Sequence, residues 1–421
     1  MEEKKLSRRA GITRRDFAKA TAIAGFAIGR SKLGKAATNS DTLKVGVIGC
    51  GGRASRDVPN MLQHNNVKLI AMGDTFADRI DGLKKKILAK KNPNIKARFA
   101  VEDDMCFVGL DAYKKVLATD IDIVMLTTSP YARPLHIEAA TKAGKHIFAE
   151  KPVATDPAGV RQVMAAGKKH KAMGLSFVAG TQRRHQPDYI ETIKKIQDGA
   201  IGDVIALRAM WCGKTPWTKE RQPEWSDLEF MIRNWLNITW AGGDNIVEQH
   251  VHNIDVCNWV MGGPPKNVMA SGGRAWKPND EQYGDNFDHF SCDYEYDGGV
   301  HMFSMCRHWY NSATNVSQLV WGSKGSSNTT DLSDAKGDGQ VNEMINLVKS
   351  IRGEGPYLHE AQRVAESTMT SIIGRMSAYT GQRVSFERAL AEAEAIVPEN
   401  LDFGRKYKVG PVPRPGAPKK G

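Results

Sequence analysis

Residues 43–54 read LKVGVI followed by GCGGRA, an apolar run that ends directly in the pattern Gly49-x-Gly51-x-x-Ala54. The run Leu43–Ile48 is short and carries β-branched residues, which predicts a strand buried in a parallel sheet. The glycines account for the turn after it. Gly49 permits a tight reversal, and Gly51 and Gly52, beside Arg53, let backbone approach a pyrophosphate. Ala54 allows a helix to pack close to the strand, with its N-terminus facing the anion.

Farther along, a second strand, Val67–Met72, ends at Asp74, twenty residues beyond Ala54. An acid there suits the ribose hydroxyls of NAD and repels the 2′-phosphate of NADP. Ile121–Thr127 is the next strand, and Pro130 and a helix carrying His136 come after it. Lys145–Ala149 is another, ending in Glu150-Lys151-Pro152. Strands alternating with helices predict a doubly wound α/β sheet with ligands at the strand C-termini. Thr127, Pro130, His136, Glu150 and Lys151 therefore join the glycine turn and Asp74 as candidate cofactor residues.

The net charge of +12 suggests an anionic partner until it is located. Residues 1–40 hold ten Lys/Arg against three acids, and 401–421 hold six against one, so the body between them is neutral. Nucleic-acid binding has no support from that distribution. The N-terminus places Arg14-Arg15 before Phe17 and Lys19, then a weakly hydrophobic Ala20–Gly29, then further basic residues. This resembles a twin-arginine export signal over 1–38, and implies an exported, periplasmic protein that meets the twin-arginine translocation machinery. The apolar segment is far short of the ~20 residues a membrane-spanning helix needs. Six cysteines show no CxxC spacing and are expected as free, mostly buried thiols.

After residue 200 the pattern changes. Val204–Cys212 reads as a strand, and Phe290–Tyr296 and Val300–Met305 flank a hairpin turn at Asp297-Gly298-Gly299. Between them Glu248, His252 and Asp255 fall at i, i+4 and i+7, one face of a predicted helix. His250 and His252 would then point about 200° apart, which disfavours a shared metal, so no metal is expected. Glu248 and His252 can instead form an oriented carboxylate–imidazole pair, with His252 as a general base near neutral pH. All nine Trp lie between 211 and 321, and Trp240, beside Gly242-Gly243, is the one expected to line a sugar pocket.

The glycine turn, Ala149–Pro152 (AEKP) and His252–Asp255 (HNID) together resemble the glucose–fructose oxidoreductase/inositol dehydrogenase/MocA family, over about 43–390. The resemblance implies a second α/β domain with a large, mostly antiparallel sheet. It implies domains at 39–165 (NAD(P)-binding) and 166–400 (substrate-binding and oligomerisation), with 401–421 left as a basic, Pro-rich tail. It further implies hydride transfer between NAD(P) and a carbinol of a sugar, cyclitol or glycoside, with Lys151 and His252 acting on the hydroxyl. Arg184 lies in a segment the family places near substrate. Glu248 stands where the family usually has Asp, which assigns it to shaping the pocket. A homo-oligomer, dimer or tetramer, is the expected assembly.

Two alternatives stand beside this reading: a redox-neutral NAD-dependent glycoside-cleaving enzyme, and a non-catalytic nucleotide- or sugar-binding protein. Because diffusible NAD is an intracellular pool, an exported member needs cofactor trapped during folding and recycled in place.

Overall fold

The computed structural model describes residues 42–417; the expected export signal lies outside them. Strands β1 (Leu43–Ile48), β2 (Val67–Asp74), β3 (Cys106–Val108), β4 (Ile123–Leu126), β5 (His146–Ala149) and β6 (Phe177–Ala179) form one sheet, in the order β3-β2-β1-β4-β5-β6. Every pairing in it is parallel. The chain winds outward in one direction from β1 and in the other from β4. The crevice between those strands' C-terminal ends is therefore the topological switch point, where such sheets bind ligands. Gly49 follows β1 and Thr127 follows β4 at that edge.

The second sheet consists of β7 (Val204–Gly213), β8 (Asn267–Gly273), β9 (His289–Glu295), β10 (His301–His308), β11 (Asn315–Gly322), β12 (Gly325–Ser327) and β13 (Val384–Ser385). Its order is β12-β11-β7-β10-β9-β8-β13. Only β7 and β10 run parallel among the paired strands described; the other pairings are antiparallel. The hairpin read at Asp297–Gly299 joins β9 to β10, with Gly298 and Gly299 both at φ 75°. An α/β chain with a parallel sheet and then a mostly antiparallel one is the architecture expected.

One apolar core runs through both halves. Ile48, Val124 and Ile147 of the first sheet belong to the same buried cluster as Leu207, Tyr294, Ile254 and Ile372. The helices Val251–Met261 and Ala361–Thr380 cover the inner face of the second sheet, and the latter also packs on the helix Pro157–Ala172. The helix Gly339–Arg352 returns to the first sheet, where Met344 and Leu347 join the cluster around Val45, Leu69 and Phe148. The chain after Ala393 has no regular structure but is anchored: Tyr407 and Val409 pack beside Phe230 and Met231, and Val412 reaches the main core. All six cysteines are free thiols, five of them buried.

A tight joint in that core is Gly374, midway along Ala361–Thr380. A Cβ there would meet the Tyr294 hydroxyl well inside contact distance and Ile246 Cδ1 at 3.0 Å. Replacing an interior helical Gly by Ala ordinarily gains about 1 kcal/mol. Overpacking a rigid site costs about 1–3 kcal/mol, and both neighbours are fully buried. Gly374→Ala should therefore lower the thermal unfolding midpoint despite the better helix former, as read by calorimetry.

Candidate active site

The glycine turn is built by steric necessity. Gly49 has φ 93°, and a Cβ on it would stand 2.5 Å from the Thr128 backbone nitrogen. Thr127 Oγ1 donates to the Gly49 carbonyl at 2.5 Å, which ties the ends of β1 and β4 together. At Gly51 and Gly52 a Cβ would meet nothing within 4 Å, because both border an open cleft of about 1380 Å³. Ala54 is fully buried at the start of the helix Ala54–His64 and serves packing rather than the cleft. Asp74 ends β2 with its carboxylate at the cleft: Oδ2 accepts from Cys50 N at 2.6 Å and Oδ1 from Phe76 N at 2.9 Å. Burial pushes its pKa up, and the two backbone donors offset only part of that. Each oxygen keeps a lone pair for a further donor. Open backbone at the turn and an acid one strand away fit a dinucleotide, and the cleft exceeds the size of an ordinary small-ligand site.

The other cofactor candidates divide. Arg53 lines the cleft, but its Nε turns to Glu150 (2.6 Å) and Asp57 (3.1 Å). Glu150, Asp57 and Glu343 are buried beneath it, and burial followed by the Glu150 charge pushes the Asp57 and Glu343 carboxyls well up. His136 lines the cleft with its ring 4.6 Å from Tyr113; burial, then the Arg133 charge, brings its pKa down to about 3. Pro130 is buried, while its neighbours Ser129 and Tyr131 face the cleft.

Lys151 and His252 line the same cleft from different halves. The expected helix through Glu248, His252 and Asp255 is interrupted where Lys151 meets it. The helix Asn245–Glu248 stops, and a new one begins at Val251. The Glu248 carbonyl, which a continuous helix would give to the His252 N–H, accepts from Lys151 Nζ instead. His252 N donates to the Gln249 carbonyl at 3.4 Å. The Glu248 side chain also turns to Lys151, with Oε1 3.0 Å from Nζ. The predicted Glu248–His252 pair is therefore replaced by a Lys151–Glu248 pair, because a buried carboxylate is held better by a cation than by a neutral imidazole.

The charges of the site obey the same pairing. Burial pushes the Glu248 carboxyl up, but the Lys151 ammonium outweighs it and holds the pKa below the usual carboxylate range. Burial, then the charges of Lys151, Arg183 and Arg53, hold His252 well below 6.5. A base with a near-neutral pKa is thus corrected to a neutral imidazole of low basicity. Its ring stacks at 5.9 Å and 22° on Trp211. His250 points elsewhere, to Ser304 Oγ on β10 at 2.7 Å, so the two imidazoles are not brought together.

The structure does not bring Arg184 or Trp240 to the cleft. Arg184 is ion-paired with Asp255 at 2.8 Å and stacks 4.8 Å over Trp259. Trp240 packs edge-on against Tyr131 at 5.1 Å and stands one layer behind the wall. Trp211, Trp217 and Trp235 line the cleft instead. The sequence singles out the tryptophan-rich stretch but not its cleft-facing members, since the strand β7 and the loop after it decide which rings face inward. Arg133 carries no sequence signal: it holds the Pro152 and Thr128 carbonyls at 2.5 Å each and so fixes the turn that carries Lys151. Burial brings its pKa down to about 10. Ala395 and Val397–Leu401, from the far end of the chain, also form cleft wall, and no motif signals them.

Comparison with known proteins gives two family matches. The model described as an oxidoreductase family with an NAD-binding Rossmann fold matches residues 43–177, and the GFO/IDH/MocA C-terminal domain matches 189–328. An uncharacterized oxidoreductase of Bacillus subtilis is 23% identical over 240 residues, 57% of this chain and 60% of that protein. A myo-inositol 2-dehydrogenase of Thermotoga maritima is 23% identical over 230 residues, 55% and 58% respectively. The chain thus spans less than two thirds of the length of these curated relatives. Scyllo-inositol dehydrogenase of Lactobacillus casei, solved with NAD(H) and scyllo-inositol, superposes with a TM-score of 0.64 at 17% identity. That superposition covers 82% of this chain and 100% of the other, and shows a shared fold.

Proposed function

Since the chain belongs to the Gfo/Idh/MocA oxidoreductase family, we propose that it is an NAD-dependent dehydrogenase acting on a carbinol of a sugar, cyclitol or glycoside. One observation carries the reading: Lys151 and His252 meet in a cleft whose other end is the Gly49–Gly52 turn and Asp74. Inositol dehydrogenases among the relatives favour a cyclitol or similar polyol. The indole faces of Trp211, Trp217 and Trp235 suit the C–H surfaces of such a ring.

The residues divide the work. The Gly49–Gly52 turn and Asp74 would hold NAD, which would supply the hydride acceptor in oxidation and the donor in reduction. The Lys151 ammonium, oriented by Glu248, hydrogen-bonds the reacting hydroxyl and stabilises the developing alkoxide. His252 takes the hydroxyl proton in oxidation and gives it back in reduction. Its depressed pKa keeps it deprotonated, ready to accept, at neutral pH. Asp74 bonds the adenosine ribose, and its charge excludes the phosphate of NADP.

Two further proposals concern setting. The Arg14-Arg15 segment directs export of the folded chain to the periplasm by the twin-arginine route, with NAD enclosed before transport and recycled in place. The chain also self-associates. On β10, Met302 and Ser304 face the core while Phe303 and Met305 stand exposed, with Met269 of β8 on the same face across β9. That apolar face suits a dimer or tetramer contact.

His252→Ala and Lys151→Ala should each cut turnover by about 10²–10⁴ while NAD stays bound; full turnover in either refutes the assignment. In the wild type the acid limb of kcat/KM for oxidation should fall below the ordinary histidine value of 6.5. Lys151→Met removes a nearby cation, eases protonation of His252 and should move that limb upward. Protein purified without added cofactor should release stoichiometric NAD on denaturation; an apo preparation active only with added NAD counts against enclosure. Phe303→Asp should shift the assembly toward monomer in light scattering.

A further inference from the structure

The segment after the helix Phe386–Glu392 lies beyond both matched family segments, yet it reaches the cleft. Its course is pinned at successive points. Arg161 Nη1 and Nη2 hold the Leu390 and Ala393 carbonyls at 2.6 and 3.1 Å. The N–H groups of Ile396 and Val397 donate to Asp156 Oδ2 at 2.8 and 3.3 Å. Ala395 and Val397–Leu401 then form cleft wall. Arg405 Nη1 donates to the Glu399 and Asn400 carbonyls at 3.0 Å each, closing this stretch into a loop. Phe403 sets its ring 6.2 Å from Phe76, two residues past Asp74. Tyr407 N finally donates to Asp227 Oδ2 at 3.1 Å, on the second half of the molecule.

A second bridge crosses at the same place. Arg233, at the end of the helix beginning with Asp227, pairs with Asp78 at 2.8 Å and lies 3.9 Å over the Phe76 ring. The Asp74 end of the cleft is thus fastened from two directions, by Arg233 and by the strap. Asp74 marks where a dinucleotide's adenosine ribose sits, and Phe76, Leu110 and Leu401 offer the purine apolar surface in the same cleft.

We propose that residues 395–405 are a wall of the dinucleotide site that retains the adenosine half of the cofactor, with Asp156 and Phe403 as the positioning residues that fasten it. This rests on the NAD-binding reading above. Leu401 and Phe403 are only half-buried and the backbone has no regular structure, so the strap's order depends on its few anchors and on what fills the cleft. Release of a ligand beneath it requires those anchors to open, and the effect appears in the dissociation rate.

Asp156 allows a clean test. Its Oδ1 caps the helix Pro157–Ala172 through Gly159 N at 2.7 Å, and its Oδ2 serves the strap alone among the hydrogen bonds described. Asp156→Asn keeps a good cap but can turn an amide N–H toward two N–H donors. Full-length Asp156→Asn and Phe403→Ala proteins are loaded with NADH, and release is followed by fluorescence during chase with excess NAD. Each variant should release NADH about tenfold faster or more than the wild type. Amide hydrogen exchange across 395–403 in the wild type should be slower in the NAD-bound protein than in protein stripped of its cofactor, a readout independent of whether either variant folds poorly. NADH release unchanged in both variants, or exchange across 395–403 indifferent to NAD, overturns the proposal. A wild type that neither carries NAD when purified nor takes it up when stripped overturns the dinucleotide reading and the strap's role with it.

Discussion

The contact between Lys151 and Glu248 organises the centre of the molecule. Removing a lysine and a glutamate from water costs several kcal/mol each before pairing, and here both are more than nine-tenths buried. The pair is tolerable because the ammonium is satisfied twice, by the carboxylate and by the carbonyl of the same residue. The second bond coincides with a break in the helix: the Glu248 carbonyl serves Lys151 where a continuous helix would offer it to His252, and the helix stops and restarts. That break sets the place of His252. One interaction therefore ties the end of β5 to the second half, orients the lysine and positions the histidine.

Beneath the cleft lies a second concentration of charge. Arg53 is shared among Glu150, Asp57 and Glu343, three buried carboxyls for one guanidinium. Burial and mutual repulsion push the Asp57 and Glu343 carboxyls well up, which favours their neutral forms. The glycine turn, the end of β5 and the returning helix Gly339–Arg352 all meet at this point. Arg53 consequently works as a structural tie under the cofactor turn as much as a cleft residue.

The features legible in the chain were local ones. The strand–glycine–helix junction is fixed by sterics within a dozen residues, and Asp74 comes after it at a spacing that one helix and one strand impose. The hairpin at Asp297–Gly299 was readable for the same reason. Glu248 lines the cleft as expected, but its pairing with His252 fails because helical periodicity knows nothing of a lysine 97 positions away that takes up the carboxylate. Arg184 resembled a substrate residue, but Asp255 claims it through a long-range ion pair. Trp240 lost to Trp211 because facing is decided by the sheet on which a ring sits. The wall at 395–401 carries no signature; it holds its position through Asp156, 240 residues earlier.

The single core that joins Ile48 and Phe177 to Leu207, Tyr294 and Ile372 has a bearing on how such a chain can be taken apart or recombined. Many two-lobed proteins behave as modules on a hinge. Here one apolar cluster spans the surface that would separate the lobes, and the helix that closes the back of the first lobe is encoded after the last residue of the second lobe's central strands. A fragment cut near residue 180 would carry the glycine turn intact but present raw apolar faces on both sides of its sheet. Recombination between homologues would have to exchange the cofactor lobe together with Gly339–Arg352, so the inheritable unit is a discontinuous one.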